Sequence, residues 1–112
     1  MIFLIPLVLQ VYAQVDLEST TEITISPYGK VEAQISSKPS SGYLWYMLPD
    51  ESGKIEIPSC KGNYKAGKQV FTIACNEFCE PGDHLTLKMF YRRIWEPQPT
   101  KILYIHLKVI SD

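Results

Sequence analysis

Long apolar runs are scarce in this chain of 112 residues, and no segment carries the 3.6-residue periodicity of an amphipathic helix. Repeats and low-complexity tracts are also missing. Past the N-terminal segment, no apolar stretch approaches the roughly 20 residues that a membrane-spanning helix needs. Charge of one sign is nowhere concentrated. The 11 Lys and Arg residues and 12 Asp and Glu residues leave a net charge of −1, and only Arg92-Arg93 puts two cations side by side. A nucleic-acid surface wants a basic stripe, so that partner class is excluded. The chain has three cysteines and two histidines. The spacing Cys75-x-x-x-Cys79 lacks the further Cys and His of a zinc site, and His84 and His106 fall on expected strands. No metal and no cofactor is expected. No motif links either histidine to a cysteine, as a thiol nucleophile would require. Ser40-Ser41-Gly42 is not the nucleophile elbow G-x-S-x-G. The acidic residues are spread out without an acid/base pair, and the domain is small for a whole active site. The chain is expected not to be an enzyme.

What is present begins with an uncharged leader. Residues 1–12 read Met-Ile-Phe-Leu-Ile-Pro-Leu-Val-Leu-Gln-Val-Tyr, and Val11-Tyr12-Ala13 places small residues where a signal peptidase reads them. The leader departs from the usual pattern in having no Lys or Arg near Met1. A buried first strand or a membrane anchor is the rival reading, but the run is short for a span. The division expected is a signal peptide over residues 1–14, cut after Ala13 or Gln14, and one domain over 15–112. The product is then secreted or held in the lumen of secretory or lysosome-like vesicles, with no stable membrane insertion after cleavage. In such an oxidising compartment, one disulfide plus one free thiol is the simplest use of Cys60, Cys75 and Cys79. The pairing is open. Cys75 and Cys79 flank a turn and can close a small loop, and a buried, unpaired Cys75 is as plausible.

The domain itself reads as short strands between turns. Residues 21–25 alternate polar and apolar, and Val31, Ala33 and Ile35 alternate again. Residues 43–48 form an aromatic strand closed by Pro49-Asp50. Residues 54–57 form a short strand ended by Pro58, and 60–67 a polar loop. Residues 69–75 are β-rich, and Glu80-Pro81-Gly82-Asp83 is a turn. Leu85, Leu87, Met89 and Tyr91 mark one face of a strand, as do Leu103, Ile105, Leu107 and Val109. The class expected is all-β, an immunoglobulin-like β-sandwich of about seven strands, with Trp45 on the third strand as a core residue.

In such a sandwich alternate loops emerge at one end. The B–C loop (37–43), the D–E loop (60–67) and the F–G loop (93–100) therefore share a pole. The first is stiff: Pro39 fixes its own φ, Gly42 can take a conformation closed to other residues, and Tyr43 stands at its base. The third carries Arg93 and Trp95 in a proline-bounded polar stretch, where a large aromatic is poorly placed for core burial. Trp and Arg are the residues most enriched at binding hot spots. Three loops on a rigid scaffold make a recognition surface.

These motifs resemble those of the chagasin-like inhibitors of papain-family cysteine proteases. That family is marked by Asn-Pro-Thr-Thr-Gly-Tyr/Phe in B–C, Gly-x-Gly-Gly in D–E and Arg-Pro-Trp/Phe in F–G. Pro39, Gly42 and Tyr43 match the first motif, Ser40 and Ser41 replace its threonines hydroxyl for hydroxyl, and Lys38 departs from its asparagine. Leu44-Trp45 suits the family's continuation. Arg93 and Trp95 match the third motif, with Ile94 in place of the proline. Tyr64-Lys65-Ala66-Gly67 aligns with the second, and only Gly67 is kept.

The resemblance implies a reversible, non-covalent, substrate-competitive inhibitor that acts as a monomer in a 1:1 complex with papain- or cathepsin L-type enzymes. It implies that the B–C loop covers the catalytic pair, with Ser40, Ser41 and Gly42 approaching closely and Pro39 and Tyr43 holding the shape. Trp95 would pack on one rim, Arg93 would supply charged or stacking contacts, and residues 64–67 would touch the other side. The rival class is a secreted immunoglobulin-like binding or adhesion module without inhibitory activity. A third is a carbohydrate-binding domain that stacks sugars on Trp95 and the loop tyrosines.

Overall fold

The computed structural model describes residues 13–63 and 67–111. The bulk of the expected leader (1–12), and Tyr64, Lys65 and Ala66 of the D–E motif, lie outside the described residues. Among the described residues eight strands form: β1 (Ala13–Asp16), β2 (Glu22–Ile25), β3 (Lys30–Ser36), β4 (Leu44–Leu48), β5 (Ile55–Asn63), β6 (Lys68–Cys75), β7 (His84–Arg92) and β8 (Lys101–Val109). They build two four-stranded sheets, ordered β1-β3-β6-β5 and β2-β8-β7-β4. The architecture is an immunoglobulin-like β-sandwich, as the turn spacing and alternation imply.

The alternation places the core. Val31, Ala33 and Ile35 from β3, and Phe71, Ile73 and Cys75 from β6, face Leu85, Leu87 and Met89 from β7 and Ile105, Leu107 and Val109 from β8. Trp45 is buried at 8% exposure, in keeping with its expected core role. A buried polar residue, Gln69, ties the two sheets. Its Oε1 accepts from the Trp45 amide at 2.8 Å, and its Nε2 donates to the Trp45 carbonyl at 3.1 Å. β4 is an edge strand, and this side chain satisfies backbone groups that an edge leaves open.

Two strand expectations are corrected. Pro58 does not end the fourth strand, and Cys60 to Asn63 are strand rather than loop. β5 runs on to Asn63, paired with β6 from Ser59↔Thr72 to Asn63↔Lys68. Pro58 sits where the register shifts between Glu56 and Ser59. A bulge in an edge strand is a place where proline's missing N–H costs no ladder bond. The D–E connection is thereby shortened to residues 64–67. The second correction is an added strand. β1 pairs in parallel with β3 from Ala13↔Val31 to Asp16↔Gln34, and takes in Ala13 and Gln14. Its four residues carry too little alternation to announce a strand, and pairing to an existing edge makes them one.

Cys75 and Cys79 form a disulfide with Cα atoms 6.0 Å apart, and Cys60 is a free, exposed cysteine. Partial burial of its sulfur raises the Cys60 pKa, against the opposing effect of a hydrogen bond from Gln69.

Candidate functional site

The ends of β3, β5 and β7 lie at one pole, and their outgoing loops are bonded to one another. The Ser37 amide donates to the Gly67 carbonyl at 2.8 Å, which joins B–C to D–E. Arg93 Nε donates to the Ser41 carbonyl at 2.9 Å, which joins F–G to B–C. The β1–β2 turn reaches the same pole because β1 runs parallel to β3. There Glu18 Oε1 accepts from the Ser36 amide at 2.6 Å and lies 3.8 Å from Lys68 Nζ. The hydrogen bonds from Ser36 hold the Glu18 carboxyl below its ordinary pKa, with a smaller contribution from Lys68.

The B–C loop is a single 3-10 turn over Pro39–Ser41. The Ser41 amide and hydroxyl both donate to the Lys38 carbonyl, at 3.0 and 2.6 Å, and the Tyr43 amide donates to Ser41 Oγ at 3.3 Å. Gly42 follows with a φ of +85°, a region that a side chain would strain. Ser40 is exposed and has no hydrogen-bond partner among the described residues.

An aromatic ladder supports this turn. The Tyr43 ring stacks on Tyr91 at 5.2 Å between centroids, and Tyr91 packs on Trp45 at 4.8 Å. Trp45 Nε1 donates to the Ser36 carbonyl at 3.0 Å. The Arg93 guanidinium covers the other end, 4.2 Å from the Tyr43 centroid, and Nη1 pairs with Glu96 Oε1 at 3.1 Å. Within F–G, the Glu96 carbonyl also accepts from Arg92 Nη2 at 2.6 Å. Trp95 stays 68% exposed while the edge of its ring rests against Gly42. Gly67 adopts a φ of +65°, and Ile94 is exposed beside Trp95.

The residues that the sequence singles out in B–C and F–G are thus brought together with Gly67. Within the pole these residues are engaged to different degrees. The hydroxyl of Ser41 and three groups of Arg93 (its Nε, its Nη1 and its ring-facing surface) are engaged inside the pole. Ser40 and Trp95 remain open to solvent. Glu18, Ser37 and Gln69 were not singled out; each is an ordinary polar residue in the sequence, and only the folded pole gives it partners. Among the described residues, no group of three or more His, Cys, Asp or Glu side chains is placed to hold a metal ion.

A sandwich whose B–C loop is hydrogen-bonded to Gly67 and to the F–G loop defines a class of scaffold. Among solved structures this chain is similar to the crystal structure of the cysteine protease inhibitor EhICP2 from Entamoeba histolytica, with a TM-score of 0.68 and 17% identity over 88% of this chain and 94% of that one. It is also similar to the solution structure of amebosin, with a TM-score of 0.56 and 22% identity over 91% of this chain and 99% of that one. At these identities the likeness is one of fold. No protein-family model and no curated protein matches the sequence.

Proposed function

We propose that this protein is a reversible, non-covalent inhibitor of papain-like cysteine proteases that plugs the substrate cleft with its loop pole. The observation that carries the reading is the fusion of B–C, D–E and F–G through the Ser37–Gly67 and Arg93–Ser41 hydrogen bonds, on a fold shared with a cysteine protease inhibitor. Loops held in place before binding lose little entropy on association. The Pro39–Ser41 turn is coiled, whereas a substrate is cleaved as an extended chain, so the turn fills the cleft without offering a scissile bond. Ser40 and the bare Cα of Gly42 approach the catalytic pair, Trp95 packs on the cleft rim, and residues 64–67 meet the opposite wall. The complex is 1:1. The disulfide Cys75–Cys79 supports secretion or residence in a vesicle lumen, where such bonds persist.

Titration of the purified protein into papain and a cathepsin L-type enzyme, followed with a fluorogenic peptide, tests the reading. Competitive inhibition relieved by dilution is expected. No inhibition at micromolar excess across several such enzymes leaves the binding-module reading in its place.

A further inference from the structure

Beside the loop pole a cavity of about 370 Å³ opens in the flank of the sandwich. Its origin is topological. β1 lies on the edge of one sheet, and β2 joins β8 only from His106 onward. Among the described residues, no strand therefore covers the gap between the end of β3 and the start of β8. Glu18, Ile35, Ser36, Ser37, Lys38, Trp45, Tyr91 and Lys101 line it. The volume falls within the roughly 300–1,000 Å³ that small-molecule sites occupy.

The chemistry left unused there is specific. Ser37 is 4% exposed with its hydroxyl enclosed in the wall, so the donors offered to the cavity are those of Lys38 and Lys101. Lys38 and Lys101 have no carboxylate partner among the described residues, and Lys101 Nζ stands 5.6 Å from the centre of the Tyr91 ring. The lining's one acid, Glu18, is already engaged by the Ser36 amide and lies near Lys68. Trp45, Tyr91 and Ile35 supply an apolar wall. Two ammonium groups and an aromatic wall are complementary to a carboxylate carried on an apolar stem.

We propose that this cavity binds such a carboxylate, seated between Lys38 and Lys101 with its stem against Trp45 and Tyr91. The carboxylate has two possible sources, an acidic side chain of a protein docked on the loop pole or a free carboxylic acid. The first rests on the inhibitor reading above, and the second does not.

The test begins without a protease. The chain has two tryptophans, so Trp95→Phe leaves Trp45 as the sole tryptophan, read by excitation beyond the tyrosine band. N-acetylphenylalanine is titrated into this variant, and into the unaltered protein with amide chemical shifts of Ser37, Lys38 and Lys101 as the readout. A saturable change is expected with the acid and not with its C-terminal amide. Lys38→Met and Lys101→Met keep the stems and remove the charges; each should weaken binding by about tenfold. No saturable change in either readout, or equal binding of acid and amide, overturns the proposal. The protease assay on the unaltered protein then separates the sources. Saturating acid that raises the inhibition constant assigns the cavity to a partner's carboxylate, and an unchanged constant assigns it to free acids. If the protein inhibits no protease, the inhibitor reading fails while the titration still decides the cavity.

Discussion

The ring edge of Trp95 rests on the bare Cα of Gly42. A Cβ placed on Gly42 would stand 2.5 Å from Cη2 of that ring, closer than carbon atoms tolerate. Gly42 also has a φ of +85°. The glycine is required twice, once for the turn and once for the neighbouring loop. Gly42→Ala should therefore push Trp95 aside and strain the turn, at a cost of about 1–3 kcal/mol. The inhibition constant should rise by about tenfold or more, accompanied by a shift in Trp95 emission. Unchanged inhibition and unchanged emission would show that the two loops do not act together.

The two tryptophans make opposite predictions. Trp95 is largely exposed and Trp45 is buried beneath the ladder. Trp95→Ala should cost about 2 kcal/mol or more of binding to the protease, with little change in the midpoint of thermal unfolding. Trp45→Ala should destabilise the fold by about 3–5 kcal/mol. Paired inhibition and unfolding measurements check both, and a large stability loss for Trp95→Ala would contradict its placement at the surface.

Arg93 is expected to act mainly through its own protein. It stacks on Tyr43, donates to the Ser41 carbonyl and pairs with Glu96. Removing it should loosen B–C and F–G together. In a double-mutant cycle, Arg93→Ala and Tyr43→Ala should be non-additive in inhibition, with a coupling of about 0.5–2 kcal/mol. Lysine should rescue Arg93→Ala poorly, because an ammonium lacks the planar surface and the fixed fork of donors. Strict additivity would mean that Arg93 meets the protease independently of the turn.

Much of this arrangement is legible in the sequence because it is written in local terms. Val31, Ala33 and Ile35 alternate, and so do Leu85, Leu87 and Met89; period-two patterns specify which side of a strand is buried. Pro39, Gly42 and Trp95 announce a turn and an exposed aromatic by residue type alone. The unread parts depend on distant partners. Pro58 looks like a terminator until β6 supplies the ladder that carries β5 past it. Gln69 looks like any polar strand residue, yet it closes the backbone of Trp45 from 24 positions away. Ser41 reads as a free hydroxyl, and its own turn consumes it.

The pole opposite the loops supplies a control that separates stability from binding. Lys54 Nζ donates to Asp83 Oδ2 at 2.7 Å, and the same oxygen accepts from the Glu80 amide at 2.9 Å. The Lys54 hydrogen bond, followed by that amide, lowers the Asp83 pKa from its ordinary 3.8. The same pairing raises Lys54 above its ordinary 10.5. The native state thus binds the Asp83 proton less readily than the unfolded chain does. Its stabilising contribution is complete above the ordinary carboxylate value and is lost as pH falls through the lowered one. For Lys54 the sign reverses: the contribution is present below the ordinary value and lost as pH rises through the raised one. Asp83→Asn should flatten the thermal-stability profile at both the acid and the alkaline ends, most visibly between about pH 5 and 2. Part of the acid limb should survive, because Glu18 at the loop pole is shifted in the same direction. Inhibition at neutral pH should not change, since neither residue of the pair lies near the loops. An unaltered acid limb in Asp83→Asn would show that the pair contributes nothing to it, and weakened inhibition would show that the two poles communicate.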